Sequence, residues 1–225
     1  CAAEFIVKTK FVGVAVCMHN SASDDVCAIL PATKTRKMHT SRRDAFKAIN
    51  DSPIALVDYN KRTVKFLNEN YSKKTKDNEL ILKEKLSEKV GLLKVHPNID
   101  PKLFKFFTEN YKAFVIEGTG LGHAPTNMGV NLKNFELLKS FIKKGGIVAM
   151  TSQCLYGAVH SYVYTNLRRL FEIGCLFCED MLPETAFIKL SWLMGNYPVE
   201  EVKKLLVENL RGEINTKRTY EKEFI

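Results

Sequence analysis

The sequence predicts an α/β protein in two parts: a small α/β portion over residues 1–67 and a parallel-sheet domain over 86–225. Three observations support this fold class. The chain of 225 residues is long enough for two modest domains with hydrophobic cores. Residues 68–79 are polar throughout, which indicates a linker that we extend over 68–85. After the linker, short apolar segments alternate with amphipathic ones, as in proteins with parallel sheets.

The first part contains several short apolar segments. Residues 11–18 are continuously apolar, which predicts a buried parallel strand, and residues 26–30 form a second apolar segment. We interpret residues 45–49 as a short turn of helix. Residues 53–58 and 62–67 predict a hairpin, because a polar turn separates two β-rich segments.

The second part has regular strand and helix signals. The predicted strands are 90–95, 113–116, 147–150 and 176–178, and the predicted helices are 101–110, 134–144, 161–173, 183–194 and 198–209. Asp100 is the expected N-cap of the first of these helices, with Pro101 at its first position. This alternation predicts a three-layer domain with helices on both faces of a parallel sheet.

The composition is that of a globular protein, with 45% apolar and 26% charged residues. No apolar run reaches about 18 residues, so we expect no membrane-spanning helix. The six cysteines do not form a disulfide framework: Cys17 lies in an apolar run, and Cys175 and Cys178 read as part of a short buried strand. A redox pair would need a strand-to-helix turn at that place. With no signal-peptide pattern at the start, we expect a cytoplasmic protein.

The formal net charge of +9 is compatible with binding RNA or another anion. The basic residues are spread along the chain and mixed with glutamates, however. Such a mixture is also typical of the surface of heat-adapted proteins. A solvated basic surface is therefore an equally good interpretation.

Two loops of the second part are candidates for ligand binding. Residues 117–123 and 151–154 follow predicted strands, and ligands of open parallel sheets bind beyond the carboxyl ends of the strands. Glycines such as Gly120 and Gly122 let backbone N–H groups approach a ligand. The spacing is not a dinucleotide fingerprint, because the third glycine comes one residue early and Pro125 interrupts a helix start. A purely structural turn is the alternative.

The segment 34–44 carries a dense group of basic residues: Lys34, Arg36, Lys37, His39, Arg42 and Arg43. One interpretation is a solvated basic loop. The other is that one lysine points inward, where burial and cationic neighbours lower its pKa. Such a lysine can deprotonate a threonine or serine nucleophile. Composition alone leaves both interpretations open.

Residues 37–46 resemble the part of the asparaginase/glutaminase family that carries its catalytic lysine; their sequence is Lys-Met-His-Thr-Ser-Arg-Arg-Asp-Ala-Phe. Further stretches agree in order, and they include Val-Cys-Met-His (16–19), Ser-Asp-Asp (23–25), Glu-Gly-Thr-Gly-Leu-Gly-His (117–123), Thr-Ser-Gln-Cys-Leu-Tyr-Gly (151–157), Cys-Glu-Asp-Met-Leu-Pro-Glu-Thr-Ala (178–186) and Asn-Leu-Arg-Gly-Glu-Ile (209–214). These stretches resemble in particular the D-type subunit of the archaeal glutamyl-tRNA(Gln) amidotransferases. The resemblance implies the carboxyl-terminal part of the family's N-terminal α/β domain over 1–67 and a flavodoxin-like C-terminal domain over 86–225.

The resemblance also implies a function and a site. Family members hydrolyse the side-chain amide of asparagine or glutamine through a threonine nucleophile, and Lys37 matches the lysine that works with a threonine and an aspartate. His123, with Gly120 and Gly122, falls where relatives contact substrate. The resemblance implies a homodimer and a partner, the E-type subunit of the amidotransferase, that uses ATP and Mg to amidate Glu on tRNA(Gln). No cofactor or metal is expected in this chain.

The sequence departs from the family pattern at the nucleophile. The family motifs Thr-Gly-Gly-Thr-Ile and Gly-Thr-Asp-Thr, which supply both threonines and the aspartate, do not occur in these 225 residues. We therefore expect the chain to need a separate N-terminal portion and to be inactive alone. Two alternatives stay open: a non-enzymatic module or relic that docks the E-type subunit or tRNA, and a fragment of an L-asparaginase.

Overall fold

The computed structural model describes residues 1–68, 71–74 and 81–215. The chain divides into two compact units, Cys1–Leu82 and Lys83–Ile225. Residues 69–70 and 75–80 of the predicted linker lie outside the described residues. Tyr71 stacks on Phe66 with ring centroids 4.7 Å apart, so this part of the predicted linker packs within the first unit. Within the described ranges, no helix has the length and apolarity needed to cross a membrane.

The first unit is mainly antiparallel. Its elements are α1 (Ala2–Lys8), β1 (Ala15–His19), β2 (Val26–Pro31), a 3-10 helix (Ala32–Lys34), β3 (Thr35–Lys37), β4 (Phe46–Ala48), β5 (Ala55–Asp58) and β6 (Thr63–Phe66). Four strands form a sheet in the order β1-β2-β5-β6, and β3 and β4 form a two-stranded sheet. Phe5 of α1 packs on Ile29 and Val57 of the sheet, which forms a small core.

The predicted hairpin over 53–67 is confirmed, since β5 and β6 pair antiparallel. The predicted parallel strand over 11–18 is wrong in direction and burial. Strand β1 pairs antiparallel with β2, and all its residues are only partly buried. The short polar turn between β1 and β2 brings the chain straight back, and such a turn can join only antiparallel strands.

The helical turn predicted over 45–49 is also wrong, because Phe46–Ala48 forms strand β4. Pairing with β3 decides this conformation. The N–H of Met38 donates to the carbonyl of Ala45 (2.6 Å), and the N–H of Ile49 donates to the carbonyl of Lys34 (2.9 Å). The backbone bonds of a ladder outweigh the weak helix preference of a five-residue segment.

The second unit has the predicted parallel sheet, in the order β10-β9-β8-β7. Its elements are β7 (Val90–Lys94), α2 (Pro101–Asn110), β8 (Ala113–Gly118), a 3-10 helix (Gly129–Asn131), α3 (Leu132–Lys143), β9 (Ile147–Ser152), α4 (Thr165–Glu172), β10 (Leu176–Phe177), α5 (Pro183–Asn196) and α6 (Val199–Leu206). The N-cap is confirmed, since the carboxylate of Asp100 accepts from the N–H of Lys102 (2.8 Å). Helix α4 begins four residues later than predicted.

Helices cover both faces of this sheet, and alternate residues of each strand point into different cores. Phe114 and Ile116 of β8 belong to one core, together with side chains of α2, α3 and α4. Ala113 and Val115 belong to the other, together with α5 and α6. Burial on both faces explains why these strands are almost continuously apolar in sequence.

Both cysteines of the Cys-x-x-Cys pair are buried as predicted, but they flank strand β10 and do not lie in it. Cys175 and Cys178 are 1% and 0% exposed, and all six cysteines are free. Burial raises the pKa of both thiols, that of Cys178 to about 12. Both therefore remain protonated at neutral pH, which does not suit a thiolate-based redox pair.

Candidate active site

The hairpin of β3 and β4 positions Lys37. Lys37 is the last residue of β3 and lies directly opposite Phe46, the first residue of β4. Its Nζ atom is 5.9 Å from the centroid of the Phe46 ring, within the range of a cation–π interaction. The nine-residue spacing between the lysine and the phenylalanine of the motif therefore places the two residues opposite each other in this hairpin.

Residues 38–45 form the loop of the hairpin, and His39 organises it. The ring Nδ1 of His39 accepts hydrogen bonds from the N–H groups of Ser41 and Arg42, both at 3.2 Å. A nitrogen that accepts two such bonds carries no proton. His39 thus acts here as a hydrogen-bond acceptor for the loop backbone.

The two arginines of the loop form ion pairs. Arg42 makes a two-point contact with the carboxylate of Asp44, at 2.8 and 3.0 Å. Arg43 contacts Asp24 at 2.6 Å, and His19 lies 3.1 Å from the same carboxylate oxygen. Hydrogen bonds from Arg42 and Arg43 lower the pKa of Asp44 and of Asp24, respectively. These basic side chains therefore hold the loop rather than form a free cationic patch.

The structure distinguishes between the lysines of this segment. Lys34, in the 3-10 helix before β3, is 0% exposed, whereas Lys37 is exposed. The lysine of this segment that points inward is thus Lys34, whereas Lys37, the candidate catalytic lysine, is exposed. The sequence offered no signal for the burial of Lys34, since both lysines stand among other polar residues.

The glycine loop follows β8 and is closed on itself. The N–H of Thr119 donates to the carbonyl of His123 and the N–H of His123 donates to that of Thr119, both at 2.9 Å. Gly120 and Gly122 have φ values of 49° and 96°, a region that favours glycine. The half-buried ring of His123 lies 5.2 Å from that of Tyr164. The structure therefore brings Gly120, Gly122 and His123 together.

The loop after β9 supports the glycine loop. The hydroxyl of Ser152 donates to the carbonyl of Gly120 (2.6 Å) and accepts from the N–H of Cys154 (3.0 Å). The side-chain amide of Gln153 donates to the carbonyls of Val95 (2.6 Å) and Glu117 (2.9 Å), and so joins the ends of β7 and β8. Ser152 and Gln153 lie in the predicted candidate loop 151–154, but nothing in the sequence distinguishes these two residues as site residues.

These residues form two local arrangements. Lys37 and its hairpin belong to the first unit, and the glycine loop with its support belongs to the second. Among the side chains of the described ranges, no three His, Cys, Asp or Glu residues are grouped so that they could hold a metal ion. The first arrangement offers a lysine amine for proton transfer, and the second offers backbone and side-chain polar groups at the carboxyl edge of a parallel sheet.

We expect Gly122→Ala to destabilise the second unit by about 2 kcal/mol, because its positive φ is strained for alanine. In addition, a Cβ atom there would lie only 3.0 Å from Cγ1 of Val159. Urea unfolding followed by the fluorescence of Trp192, the single tryptophan, measures this loss. Gly120→Ala is the matched control, since Gly120 also has a positive φ but its Cβ would meet open space. A loss no larger than that of the control would contradict the proposed packing.

Comparison with known proteins identifies matches for both units. Residues 1–71 match the family model described as asparaginase, N-terminal, and residues 89–206 match the glutaminase/asparaginase C-terminal domain. The chain is 46% identical over 205 residues to the D-type subunit of glutamyl-tRNA(Gln) amidotransferase from Methanococcus maripaludis, covering 90% of the chain and 48% of the relative. It is 45% identical over 203 residues to the protein of the same name from Pyrococcus horikoshii, covering 89% of the chain and 44% of the relative.

A solved structure agrees with these matches. The thermostable L-asparaginase from Thermococcus kodakarensis superposes with a TM-score of 0.74 at 28% identity, over 84% of the chain and 56% of that structure. The chain is thus an α/β protein of the asparaginase class, in which an N-terminal domain is followed by a C-terminal domain. It belongs to the glutaminase/asparaginase family, which confirms the predicted resemblance and fold class. It spans about half the length of the curated relatives it matches.

Proposed function

We propose that the chain is the carboxyl-terminal portion of a glutaminase subunit of a tRNA-dependent amidotransferase. Such a protein releases ammonia from glutamine for the conversion of Glu-tRNA(Gln) to Gln-tRNA(Gln). The observation that carries this proposal is the 46% identity, over 90% of the chain, to a relative named as the D-type subunit of glutamyl-tRNA(Gln) amidotransferase. The family membership and the hairpin that presents Lys37 support it.

In this proposal Lys37 is the proton acceptor for a threonine nucleophile. The threonine oxygen attacks the amide carbon of glutamine, and its proton passes to the lysine amine. The lysine passes this proton to the amide nitrogen, the C–N bond breaks and ammonia leaves, and water then hydrolyses the ester that remains on the threonine. Lys37 is exposed at the end of β3, so its Nζ is accessible to a group that another segment supplies.

In this proposal the nucleophile comes from a segment outside these residues, because Thr-Gly-Gly-Thr-Ile and Gly-Thr-Asp-Thr do not occur in them. The chain contributes Lys37 and the second domain, in which Gly120, Gly122 and His123 contact substrate. The glycine loop supports this role, since its exposed Gly120 turn is held by Ser152.

The proposal also includes partners. The E-type subunit of the amidotransferase receives the ammonia and uses ATP and Mg for the amidation. The glutaminase itself forms a homodimer and meets tRNA(Gln) through the complex. The six free cysteines are consistent with work in the reducing cytoplasm.

A complementation assay tests the proposal. The 225-residue chain is mixed with a separately expressed polypeptide that contains the part of the Methanococcus maripaludis relative outside the match. We expect ammonia release from glutamine from the mixture, and background rates from either polypeptide alone. Full activity of the chain alone, or none from the mixture despite binding, would overturn the proposal.

An L-asparaginase is the second candidate, favoured by the TM-score of 0.74 with the Thermococcus kodakarensis enzyme. The same mixture distinguishes the two, since an asparaginase releases ammonia faster from asparagine than from glutamine. If neither amide is hydrolysed, the non-enzymatic module remains. Its net charge of +9 then predicts tRNA binding that weakens steeply with salt.

A further inference from the structure

Residues 124–126 directly follow the glycine loop, and side chains from two helices hold their backbone. Asn166 of α4 donates from its Nδ2 to the carbonyl of Ala124 (2.8 Å). Asn134 of α3 donates from its Nδ2 to the carbonyl of Pro125 (2.8 Å). The segment that leaves the glycine loop is therefore fixed to both α3 and α4.

The hydroxyl of Thr126 adds a further bond to this arrangement. It lies 2.7 Å from Oδ1 of Asn166 and 3.2 Å from the carbonyl of Ala124. A hydroxyl has one proton to donate, and the shorter contact takes it. The amide of Asn166 thus accepts from Thr126 and donates to Ala124. Thr126 and Asn166 together form a polar clamp on the segment.

The polar clamp is largely buried. Thr126 and Asn134 are fully buried, and Asn166 is half-buried. Among the described residues, Oδ1 of the buried Asn134 has no hydrogen-bond partner, so this amide gives the segment one bond and leaves one oxygen unsatisfied. A buried polar group that loses its partner is costly, so the network favours one arrangement of this backbone over others.

His123 lies between two fixed points of the backbone. Its own N–H and carbonyl pair with Thr119, and the polar clamp holds the next residue, Ala124. Its ring lies 5.2 Å from that of Tyr164, the N-cap residue of α4. Among the described residues, neither ring nitrogen of His123 has a hydrogen-bond partner, so both are available to a substrate. Helix α4 therefore contributes twice to the position of this ring.

We infer that Asn166 and Thr126 are positioning residues of the substrate site, because the polar clamp holds His123 in the orientation that contacts glutamine. This inference rests on the proposed function, in which His123 contacts the substrate. The clamp residues act through His123 and do not touch the substrate themselves. Without the clamp the backbone after His123 gains freedom, and the ring is no longer held in place for binding.

Steady-state kinetics of the complemented enzyme test the inference. We expect Asn166→Leu to raise KM for glutamine about tenfold and to change kcat less than about twofold, because it weakens a binding contact. Loss of folded protein alone would lower the apparent kcat and leave KM unchanged. Asn196→Leu is the matched control, since Nδ2 of Asn196 also donates to two carbonyls, those of Lys85 (2.7 Å) and Trp192 (2.8 Å). An equal rise of KM in the control would overturn the inference.

Two further comparisons test the hydroxyl and the involvement of His123. Thr126→Val removes the hydroxyl and should raise KM as Asn166→Leu does, whereas Thr126→Ser keeps the hydroxyl and should leave KM within about twofold of the unsubstituted value. His123→Ala should itself raise KM, and Asn166→Leu should then add nothing, because both changes remove the same contact. A normal KM for His123→Ala, or a second rise on adding Asn166→Leu, would overturn the inference.

Amide hydrogen exchange of the 225-residue chain alone gives a measurement that needs no activity. The amide of His123, which donates to Thr119, should exchange about tenfold faster in Asn166→Leu, whereas that of Val115 in β8 should not change. Unchanged exchange at His123, or equal acceleration at Val115, would overturn the inference. If the unsubstituted mixture releases no ammonia, the proposed function fails and this exchange decides whether the clamp holds His123. If circular dichroism shows that Asn166→Leu is unfolded, Thr126→Val replaces it in both measurements.

Discussion

We expect Lys37→Ala to lower kcat/KM for glutamine by a factor of about 10² to 10⁴ in the complemented enzyme, the usual contribution of a positioned acid–base group. Lys37 lies at the end of β3 opposite Phe46 and its side chain is exposed, so we expect the hairpin to fold without it. Binding of the two polypeptides should therefore be unchanged while ammonia release is lost. A coupled ammonia assay with varied glutamine separates kcat from KM.

Lys47→Ala is the matched control for this prediction. Lys47 lies in β4 of the same hairpin, its side chain is 47% exposed, and its Nζ is 3.7 Å from Asp44. Such an exposed pair contributes little to stability, about 0–1 kcal/mol. The control should therefore keep near-normal activity. If Lys37→Ala retains activity as well as Lys47→Ala does, the role of Lys37 as the proton acceptor is wrong.

The second large effect concerns stability. The Nζ of Lys189 lies 2.6 Å from a carboxylate oxygen of Glu213, and these side chains are 6% and 3% exposed. Lys189 also donates to the carbonyl of Leu206 (3.0 Å), at the end of α6. Glu213 accepts from the N–H groups of Leu210 (3.0 Å) and Arg211 (2.6 Å). The pair thus connects α5, the end of α6 and the segment that follows.

We expect Glu213→Gln to destabilise the second unit by about 3–5 kcal/mol, because it leaves Lys189 buried without its counter-charge. Unfolding in urea followed by Trp192 fluorescence measures the loss. Glu200→Gln is the matched control: Glu200 is 2.8 Å from Lys203, but its side chain is 85% exposed. The free energy of unfolding of the control should be within about 0.5 kcal/mol of that of the unsubstituted chain. Similar losses for the two variants would contradict the role of the buried pair.

The same pair predicts a pH dependence. Burial acts to raise the pKa of Glu213, but the hydrogen bonds from Lys189 and from the backbone outweigh it, so the pKa is lowered below its ordinary value of 4.5. A group whose pKa is lower in the folded state stabilises the fold fully above the unfolded value, and this contribution is lost as the pH falls through the folded value. The difference in stability between the unsubstituted chain and Glu213→Gln should therefore shrink below pH 4.5.

Local patterns were sufficient to predict the second unit. Its strands are buried on both faces and its helices on one, so the apolar residues repeat with distinct periods, and β7 to β10 lie at the predicted places in the chain. The N-cap at Asp100 is equally local, since it involves residues two positions apart. The loops after β8 and β9 could be chosen as candidates because chain order alone puts them at the ends of strands.

Contacts between residues that are distant in the chain decide the strand directions and the burial that local sequence patterns do not determine. The direction of β1 and the strand conformation of Phe46–Ala48 depend on partners elsewhere in the chain. Lys34 and Lys37 have the same chemistry, and only the fold buries one and exposes the other. Likewise, Gln153 acquires its role by bonding to backbone carbonyls 58 and 36 residues away. Periodicity reports how far a segment is buried, whereas partner and direction are properties of the assembled chain.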